Sequence, residues 1–377
     1  MIKFKNKESE AKVLDLLRDS GSKNRETAMK ARDAFASIMG VSLSRTLAPL
    51  SIANEIFTRV ETYTGDNVPE VPLDLYFGIG EGTFRIWANG YPGGLAYNEI
   101  GGYDTFRYRI ARMDSAIAWN NSYARNARLP VVEMGLMRLL DEVMVKSQFN
   151  AFTVLADALG GARTPSGASG RSHVIASTAK TNGTARKFQL DDVNRLMTLV
   201  KRLNSSWANG TSRSGGTGLT DLYMSPETME EIRRMTYNPV NTTAIPDTNE
   251  STAMPAPDDL RMEIYRSGGA TELYGKRLHE LNELGVGQVY NELFRQKYNS
   301  VGGGAPSWTA TTDELVIGID KSLGAFARVI SMDENSSTFQ LEVDDQHTNR
   351  SEKTGYYGFT EEGWLVGNDN AIVGLLW

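Results

Sequence analysis

Two short stretches early in the chain alternate between apolar and polar residues. They cover residues 83–88 and 104–113, and turn-forming glycine, asparagine and proline residues lie between them. In the second stretch the two faces are formed by Phe106, Tyr108 and Ile110 and by Arg107 and Arg109. A period of two is typical of a β-strand, so the pattern predicts a β-hairpin at residues 84–112. An isolated hairpin is marginally stable, and its apolar face needs a surface, either on its own core or on another copy of the chain.

A helical period follows between Pro130 and Leu159. Proline at the first position and Gly160 and Gly161 after the last are typical of the two ends of a helix. The apolar band is formed by Val132, Leu136, Leu139, Leu140, Val143, Phe149, Phe152, Ala156 and Leu159. We expect a long helix at residues 130–159 that packs against a sheet.

The first 60 residues predict weaker helices. Residues 1–40 carry many charges around a thin apolar stripe that includes Val13 and Leu17, and residues 48–60 predict an amphipathic helix. Helices of this kind depend on a packing partner for stability. The first 40 residues are therefore either a frayed terminus or an arm that packs on a neighbouring subunit.

Helical and strand patterns alternate after residue 188, and with the strands at the end of the chain we interpret the fold as α+β. Helices are expected at 191–203, 227–235 and 286–298, and strands at 174–175, 219–224 and 314–319. A loop is expected at 238–258. The end of the chain predicts an antiparallel set of strands at 325–331, 338–345, 354–360 and 371–377.

The composition excludes several kinds of chemistry. The 377 residues include no cysteine, and only three histidines, His173, His279 and His347, none in a metal-ligand spacing. The formal net charge of −6 argues against tight binding of nucleic acid and is compatible with enclosing it. No apolar run approaches the ~18 residues of a membrane span, and residues 1–12 lack the apolar region of a secretory signal.

The motifs that carry catalysis or cofactor binding are not present in the sequence. Residues 78–82 lack the spacing of a dinucleotide-binding loop, and residues 167–170 lack that of a serine nucleophile elbow. His173 lies in a Ser/Gly-rich loop and is expected to be solvated. Two acidic pairs are expected to be solvated or salt-bridged, because neighbours on a strand point to opposite faces; they are Asp344 with Asp345 and Glu361 with Glu362. We expect no enzyme activity, no metal and no cofactor.

Two regions of opposite charge are more informative. Residues 84–128 contain six arginines and three acids, a net of +3, and residues 331–363 contain eight acids and two bases, a net of −6. Contact between them within one subunit is ordinary surface pairing, whereas contact between subunits fixes register and partner choice.

Three sequence segments, together with the order of the predicted helices and strands, resemble a known family. They are LPVVE at 129–133, LTDLYMSPETM at 219–229 and GWLVGNDNAIVGL at 363–375. They resemble the major capsid proteins of tailed bacteriophages with the Hong Kong 97-like fold, over residues 45–377. The resemblance implies an N-terminal helical arm at 1–55 and an extended loop, the β-hairpin, at 84–112. It implies a peripheral domain at 56–83, 113–185 with a spine helix at 130–159, and 325–362, and an axial domain at 186–324 and 363–377.

The resemblance also implies a structural function. Copies of the chain form the hexamers and pentamers of an icosahedral capsid that encloses double-stranded DNA without sequence-specific binding. Portal, scaffold and decoration proteins are the further partners, and the shell is assembled in the bacterial cytoplasm and ends in the virion. Two alternatives remain, the shell of an encapsulin-type nanocompartment, which shares the fold, and a soluble enzyme of unknown type.

The extended loop departs from the founding member of the family, which joins a loop lysine to an asparagine of another subunit. No lysine lies between Lys30 and Lys146, so we expect no such crosslink. We expect loop arginines to meet acids of a neighbour instead, and the candidates are Arg85, Arg107, Arg109 and Arg112 with Glu342, Asp344, Asp345, Glu361 and Glu362. The apolar face of the loop is expected to supply most of the contact energy, through Phe84, Ile86, Phe106 and Tyr108.

Overall fold

The chain forms two compact units, each with its own mixed sheet. The computed structural model describes residues 7–22, 24–47, 52–64, 70–72, 105–108, 110–126, 129–161, 172–177, 188, 190–205, 218–234, 258–267, 272–300, 308, 312–332, 339–344 and 353–377. Unit 1 comprises Met1–Val71, Phe106–Ala151 and Ala327–Leu365, and unit 2 comprises Pro72–Thr105, Phe152–Phe326 and Val366–Trp377.

The described chain combines helices with sheets that contain antiparallel pairs, as in an α+β fold. The helices are α1 (Lys7–Ser20), α2 (Arg25–Leu47), α3 (Ile52–Ile56), α4 (Asn121–Arg125), α5 (Leu129–Gly161), α6 (Leu190–Ser205), α7 (Pro226–Arg234), α8 (Asp258–Ser267) and α9 (Val289–Ser300). The strands are β1 (Arg59–Tyr63), β2 (Glu70–Pro72), β3 (Thr105–Arg107), β4 (Ile110–Asn120), β5 (Val174–Ala176), β6 (Asp221–Met224), β7 (Glu272–Leu273), β8 (Lys276–Glu280), β9 (Leu315–Ile319), β10 (Phe326–Ser331), β11 (Gln340–Val343), β12 (Lys353–Val366) and β13 (Ile372–Leu376).

Unit 1 is built on a five-stranded sheet in the order β1–β10–β12–β11, with β4 also paired to β12. One hydrophobic core joins this sheet to α1, α2 and the first part of α5. Its buried members are Val13, Leu17, Phe35, Ala36, Met39, Trp119, Ala124, Val132, Leu136, Leu139, Leu140, Val143, Phe339, Leu341 and Tyr356. Burial of each large side chain contributes about 1.5–3 kcal/mol.

The predicted long helix is confirmed, and α5 includes both glycines at its end. The terminal helices α1 and α2 form as their pattern of charged and apolar residues predicts. They pack on their own unit, whereas the sequence predicted either a frayed terminus or an arm on a neighbouring subunit. Val13 and Leu17 of α1 and Phe35 of α2 are buried in the core of their own unit. Arg32 reinforces this, since its Nε donates to the carbonyl of Ser20 at 3.0 Å.

The helix predicted at 48–60 is confirmed at Ile52–Ile56 (α3) and wrong at its C-terminal end. From residue 57 the described chain leaves the helix and enters β1, which pairs in parallel with β10 so that Val60 lies beside Arg328. A strand pairing distant in sequence overrides the local helical period at this point.

The part of the predicted hairpin that the structure describes also differs from the prediction. Residues 83–88 lie outside the described part of the chain. β3 forms a two-stranded sheet with β2, and Ile110–Arg112, assigned to the loop by the pattern, belong to β4 of the five-stranded sheet.

Unit 2 contains a six-stranded sheet in the order β5–β13–β9–β6–β8–β7. β13 is antiparallel to β9 and parallel to β5, so the last strand does not join the antiparallel set expected from the sequence. α6 and α7 cover one face through a core that includes Val193, Leu196 and Ile232. The helix α8 and the strands β7 and β8 were not predicted from the sequence. The loop expected at 238–258 lies outside the described residues except for Asp258, the first residue of α8.

Candidate intersubunit contact surface

The acids of the predicted contact lie on or beside β12, whose register with β4 fixes their directions. Arg112 stands opposite Glu361, and Ala111 stands opposite Glu362. Because successive strand residues point to opposite faces, the two glutamates separate as predicted. Glu361 is half-buried, and the side chain of Glu362 is 1% exposed.

The outer face of β12 combines charged and aromatic side chains. Arg112 Nη1 lies 3.8 Å from Glu361 Oε1, and the guanidinium lies over the Phe359 ring, 4.1 Å from its centroid. The Tyr63 hydroxyl donates to Glu361 Oε2 at 3.4 Å. Burial and then the charge of Glu361 raise the pKa of Tyr63. This is pairing within one subunit, which the sequence had left open, and the Arg112 side chain is still 51% exposed.

The opposite face holds a pair that is enclosed in the subunit. Arg328 donates to Glu362 Oε2 from Nε at 3.2 Å and from Nη2 at 2.6 Å. Its Nη1 donates to Asn54 Oδ1 at 2.6 Å, and the guanidinium lies over the Trp364 ring at 4.7 Å. A neighbour cannot reach Glu362 in this arrangement, so we withdraw this residue from the predicted contact.

Two further acids lie on or just after β11, next to β12. Glu342 is exposed and accepts a hydrogen bond from the Tyr357 hydroxyl, and this bond is the largest cause that raises the pKa of Tyr357. Asp344 follows β11, and its backbone N–H donates to the carbonyl of Gly355 at 3.0 Å. Glu342 therefore has the exposure that an intersubunit contact needs.

The structure describes only some of the extended-loop residues that are expected to make the intersubunit contact. Phe84, Arg85, Ile86 and Arg109 lie outside the described residues, as does the acid Asp345. Phe106 and Arg107 lie in β3. Tyr108, expected on the contact face, is buried in the single subunit, immediately before the chain enters β4. We therefore remove Tyr108 from that face.

Sequence reasoning missed the aromatic part of this surface and the role of Arg328. Tyr357, Phe359 and Glu361 alternate along β12, so the period-two signal was available once the strand is extended to Lys353–Val366. Arg328 lies on another strand, and no local pattern connects it to Glu362.

Unit 2 contains a charged cluster on β6. Asp221 Oδ1 lies 2.8 Å from His279 Nε2 and 3.0 Å from Lys321 Nζ, and the His279 ring stacks on Tyr223 at 4.6 Å. Burial acts to raise the pKa of Asp221, but hydrogen bonds from Thr220, His279 and Lys321 outweigh it, and the pKa is lowered. The cluster joins β6, β8 and the turn after β9, which is a structural arrangement.

A buried acid and two hydroxyls form a second polar cluster in unit 2. Ser225 Oγ donates to Glu314 Oε2 at 2.5 Å, and Thr228 Oγ1 lies 3.5 Å from the same oxygen. Trp377 Nε1 donates to Thr228 Oγ1 at 3.1 Å. Burial raises the pKa of Glu314, and the nearby charges of Glu227 and Glu231 add to the rise. Ser225 is fully buried, so no substrate can reach its hydroxyl.

His173 is a correction to the sequence analysis, since it is buried rather than solvated. Its carbonyl accepts from the N–H of Gly374 in β13 at 2.9 Å, which draws the residue into the edge of the sheet. Burial is the main cause that lowers the pKa of His173.

The described residues contain neither a metal-binding cluster nor a membrane-spanning helix. They contain no group of three or more histidine and acidic side chains that could hold a metal ion. In the same residues no helix has the length and apolar character needed to cross a membrane.

Comparison with known proteins gives structural neighbours at low sequence identity. No family model and no curated protein matches the chain. Three solved structures to which it is similar are a capsid particle, a cyanophage capsid and an encapsulin. The capsid of an empty GTA particle has 11% identity and a TM-score of 0.46, and the match covers 87% of this chain and 91% of that chain. The capsid of cyanophage P-SCSP1u has 15% identity and a TM-score of 0.43, with 84% and 85% covered. The holo-SrpI encapsulin complex from Synechococcus elongatus PCC 7942 has 10% identity and a TM-score of 0.39, with 72% and 75% covered.

Proposed function

We propose that this chain is a structural subunit that assembles into a closed capsid of the Hong Kong 97-like type. In this proposal hexamers and pentamers form an icosahedral bacteriophage shell that encloses double-stranded DNA, and the chain has no enzyme activity. The shell is assembled in the host cytoplasm and becomes part of the virion. Portal, scaffold and decoration proteins are its further partners.

The observation that carries the proposal is the way the chain is divided between its two units. It returns to unit 1 at Ala327–Leu365 and to unit 2 at Val366–Trp377, so that β13 joins the six-stranded sheet. The family resemblance implies this order, with a long helix in the peripheral domain and the last strand in the axial domain. We propose the α5 helix of Leu129–Gly161, which lies in unit 1 as far as Ala151, as the counterpart of the spine helix.

The sign of the charges supports a contact between the extended loop of one subunit and the β11–β12 region of another. Residues 84–128 have a net charge of +3 and residues 331–363 of −6. We propose that Arg85, Arg107 and Arg109 bind acids of the neighbour, because the planar guanidinium can bind a carboxylate with two hydrogen bonds. The proposed acceptors are Glu342, Asp344, Asp345 and Glu361, and apolar contact comes from Phe84, Ile86 and Phe106. Arg112 remains a candidate for this contact only through the exposed part of its side chain, because the rest already contacts Glu361 of its own subunit.

Assembly is the property that tests the proposal. The purified protein, alone and with its phage partners, is examined by size-exclusion chromatography and negative-stain electron microscopy, and closed particles tens of nanometres across that contain DNA are the expected result. Particles that contain an enzyme instead of DNA would favour the encapsulin-type alternative. A small oligomer under all conditions would contradict a shell function.

Denaturing electrophoresis of the particles tests the expected lack of lysine crosslinks. Boiled particles are expected to run as single chains of 41.6 kDa. A ladder of covalent multimers would contradict this part of the proposal, while leaving the shell function in place.

A further inference from the structure

The turn between β7 and β8 places a tyrosine where the backbone favours glycine or asparagine. Leu273 pairs with Lys276, which leaves Tyr274 and Gly275 as a two-residue turn. Both have positive φ, 52° and 69°. Hairpin turns with two positive φ angles prefer Asn-Gly and related pairs, and an L-residue with a bulky side chain is strained there.

The tip of this turn projects from unit 2. Tyr274 is 49% exposed, although the preceding Leu273 is buried in the core. A Cβ added at Gly275 would meet no atom of the described residues within 4 Å. The hairpin is therefore anchored at its base, and its tip carries a half-exposed aromatic ring in a strained conformation. Strain that persists at a surface position points to a function for the residue.

We propose that Tyr274 contacts a second copy of this chain, an inference that rests on the proposed shell. The tip carries both signs of charge: Glu272 lies opposite Arg277 in the strand register, both are exposed, and Lys276 follows Gly275. A mixed surface of this kind is complementary to another copy of itself, whereas a contact with DNA requires a basic surface.

The side chain, rather than the strand edge, makes the contact. β7 is the edge strand of its sheet but is only two residues long, too short to add a strand from a neighbour. Tyrosine combines a large apolar ring with a polar hydroxyl, and it is enriched among the residues that dominate binding energy. The fixed turn holds the ring in place before assembly, which reduces the entropy lost on contact.

Tyr274→Asn separates this function from a role in folding. Asparagine fits the turn, so the thermal unfolding midpoint of the unassembled variant is expected to equal or exceed that of the wild type. The protein concentration needed for assembly is expected to rise at least about tenfold, the typical result of losing a dominant contact residue. Met262→Gln is the matched control, because it also removes an exposed apolar side chain from unit 2, and it is expected to assemble as the wild type does.

A single introduced thiol gives an independent measurement. The chain has no cysteine, so Glu272→Cys creates one thiol, at the side of the tip. Its reaction with a maleimide is expected to be at least about tenfold slower in assembled particles than in free subunits, because the neighbouring copy covers it.

The outcomes separate this inference from the shell function. Tyr274→Asn particles that form at the wild-type concentration, or a thiol at 272 that reacts equally fast in both states, would overturn the contact while the shell stands. A lowered unfolding midpoint in Tyr274→Asn would also overturn it, since the tyrosine would then stabilise its own subunit. If the wild type forms no particles, the shell function itself is wrong.

Discussion

Arg328 and Glu362 form a buried ion pair across the sheet of unit 1, joined by two hydrogen bonds to the same carboxylate oxygen. The Arg328 guanidinium is also fixed by Asn54 and by the ring of Trp364. The pair therefore connects β10 and β12 to the short helix α3. Its contribution is to the stability of the single subunit.

Arg328→Met is expected to destabilise unit 1, because it leaves the Glu362 carboxylate buried without its partner. The loss in free energy of unfolding is expected to be about 3–5 kcal/mol, measured by urea denaturation of the unassembled subunit. The double variant Arg328→Met/Glu362→Leu is expected to recover most of it, since no charge then remains buried. The control is Lys30→Ala, which breaks an exposed ion pair with Glu26. It is expected to lower the free energy of unfolding by less than about 0.5 kcal/mol. An equal loss in Arg328→Met and Lys30→Ala would show that the buried pair has no special role.

Asp221→Asn is expected to change the acid sensitivity of unit 2. The pKa of Asp221 is lowered in the folded state, so the carboxylate stabilises the fold above its ordinary pKa of 3.8, and this contribution is lost as the pH falls through the folded value. At pH 7 the variant is expected to be less stable than the wild type. Below pH 3.8, further acidification is expected to reduce the stability of the variant less than that of the wild type. Thermal unfolding across this range measures the difference, and parallel curves for the two proteins would contradict the prediction.

Glu314→Gln is expected to have the opposite pH dependence. Burial raises the pKa of Glu314 above 4.5, so the ionised group destabilises the fold at neutral pH. The wild type regains this stability as the pH falls through the raised pKa and the group becomes protonated. Glutamine has no such charge and keeps an oxygen that can accept from Ser225. The variant is therefore expected to equal or exceed the wild type at pH 7, and its advantage should shrink toward pH 4.5. A constant difference between the two proteins over this range would exclude the ionisation of Glu314 as the cause.

Charge reversal tests the proposed loop contact. Arg109→Glu is expected to block assembly while circular dichroism shows a folded subunit, and Glu342→Lys in the same chain is expected to restore assembly. Arg112→Gln is the contrast, because its partner Glu361 lies in the same subunit. It is expected to lower the free energy of unfolding by less than about 1 kcal/mol and to weaken assembly much less than Arg109→Glu does. Lys12→Glu makes the same charge change as Arg109→Glu at an exposed position of α1 and serves as the control. Normal assembly of Arg109→Glu would mean that the loop arginines are only a solvated face.

The sequence by itself determined the features whose signals are local. Pro130 and the Gly160–Gly161 pair predict the ends of α5 to within two residues, because capping and backbone conformation depend on near neighbours. The opposite directions of Glu361 and Glu362 follow from the period of a strand alone. The α+β class and most strands after residue 218 rest on the same kind of periodicity.

Only the tertiary structure decided which distant segments meet. β1 ends a predicted helix early because β10 offers a strand to pair with, and β13 leaves the terminal set because β9 and β5 pair with it. His173 is buried because its carbonyl bonds to Gly374, about 200 residues later in the chain. Arg328 is paired with Glu362 because β10 and β12 share a sheet. None of these contacts leaves a trace in local periodicity, since each depends on free energy gained between residues far apart in sequence.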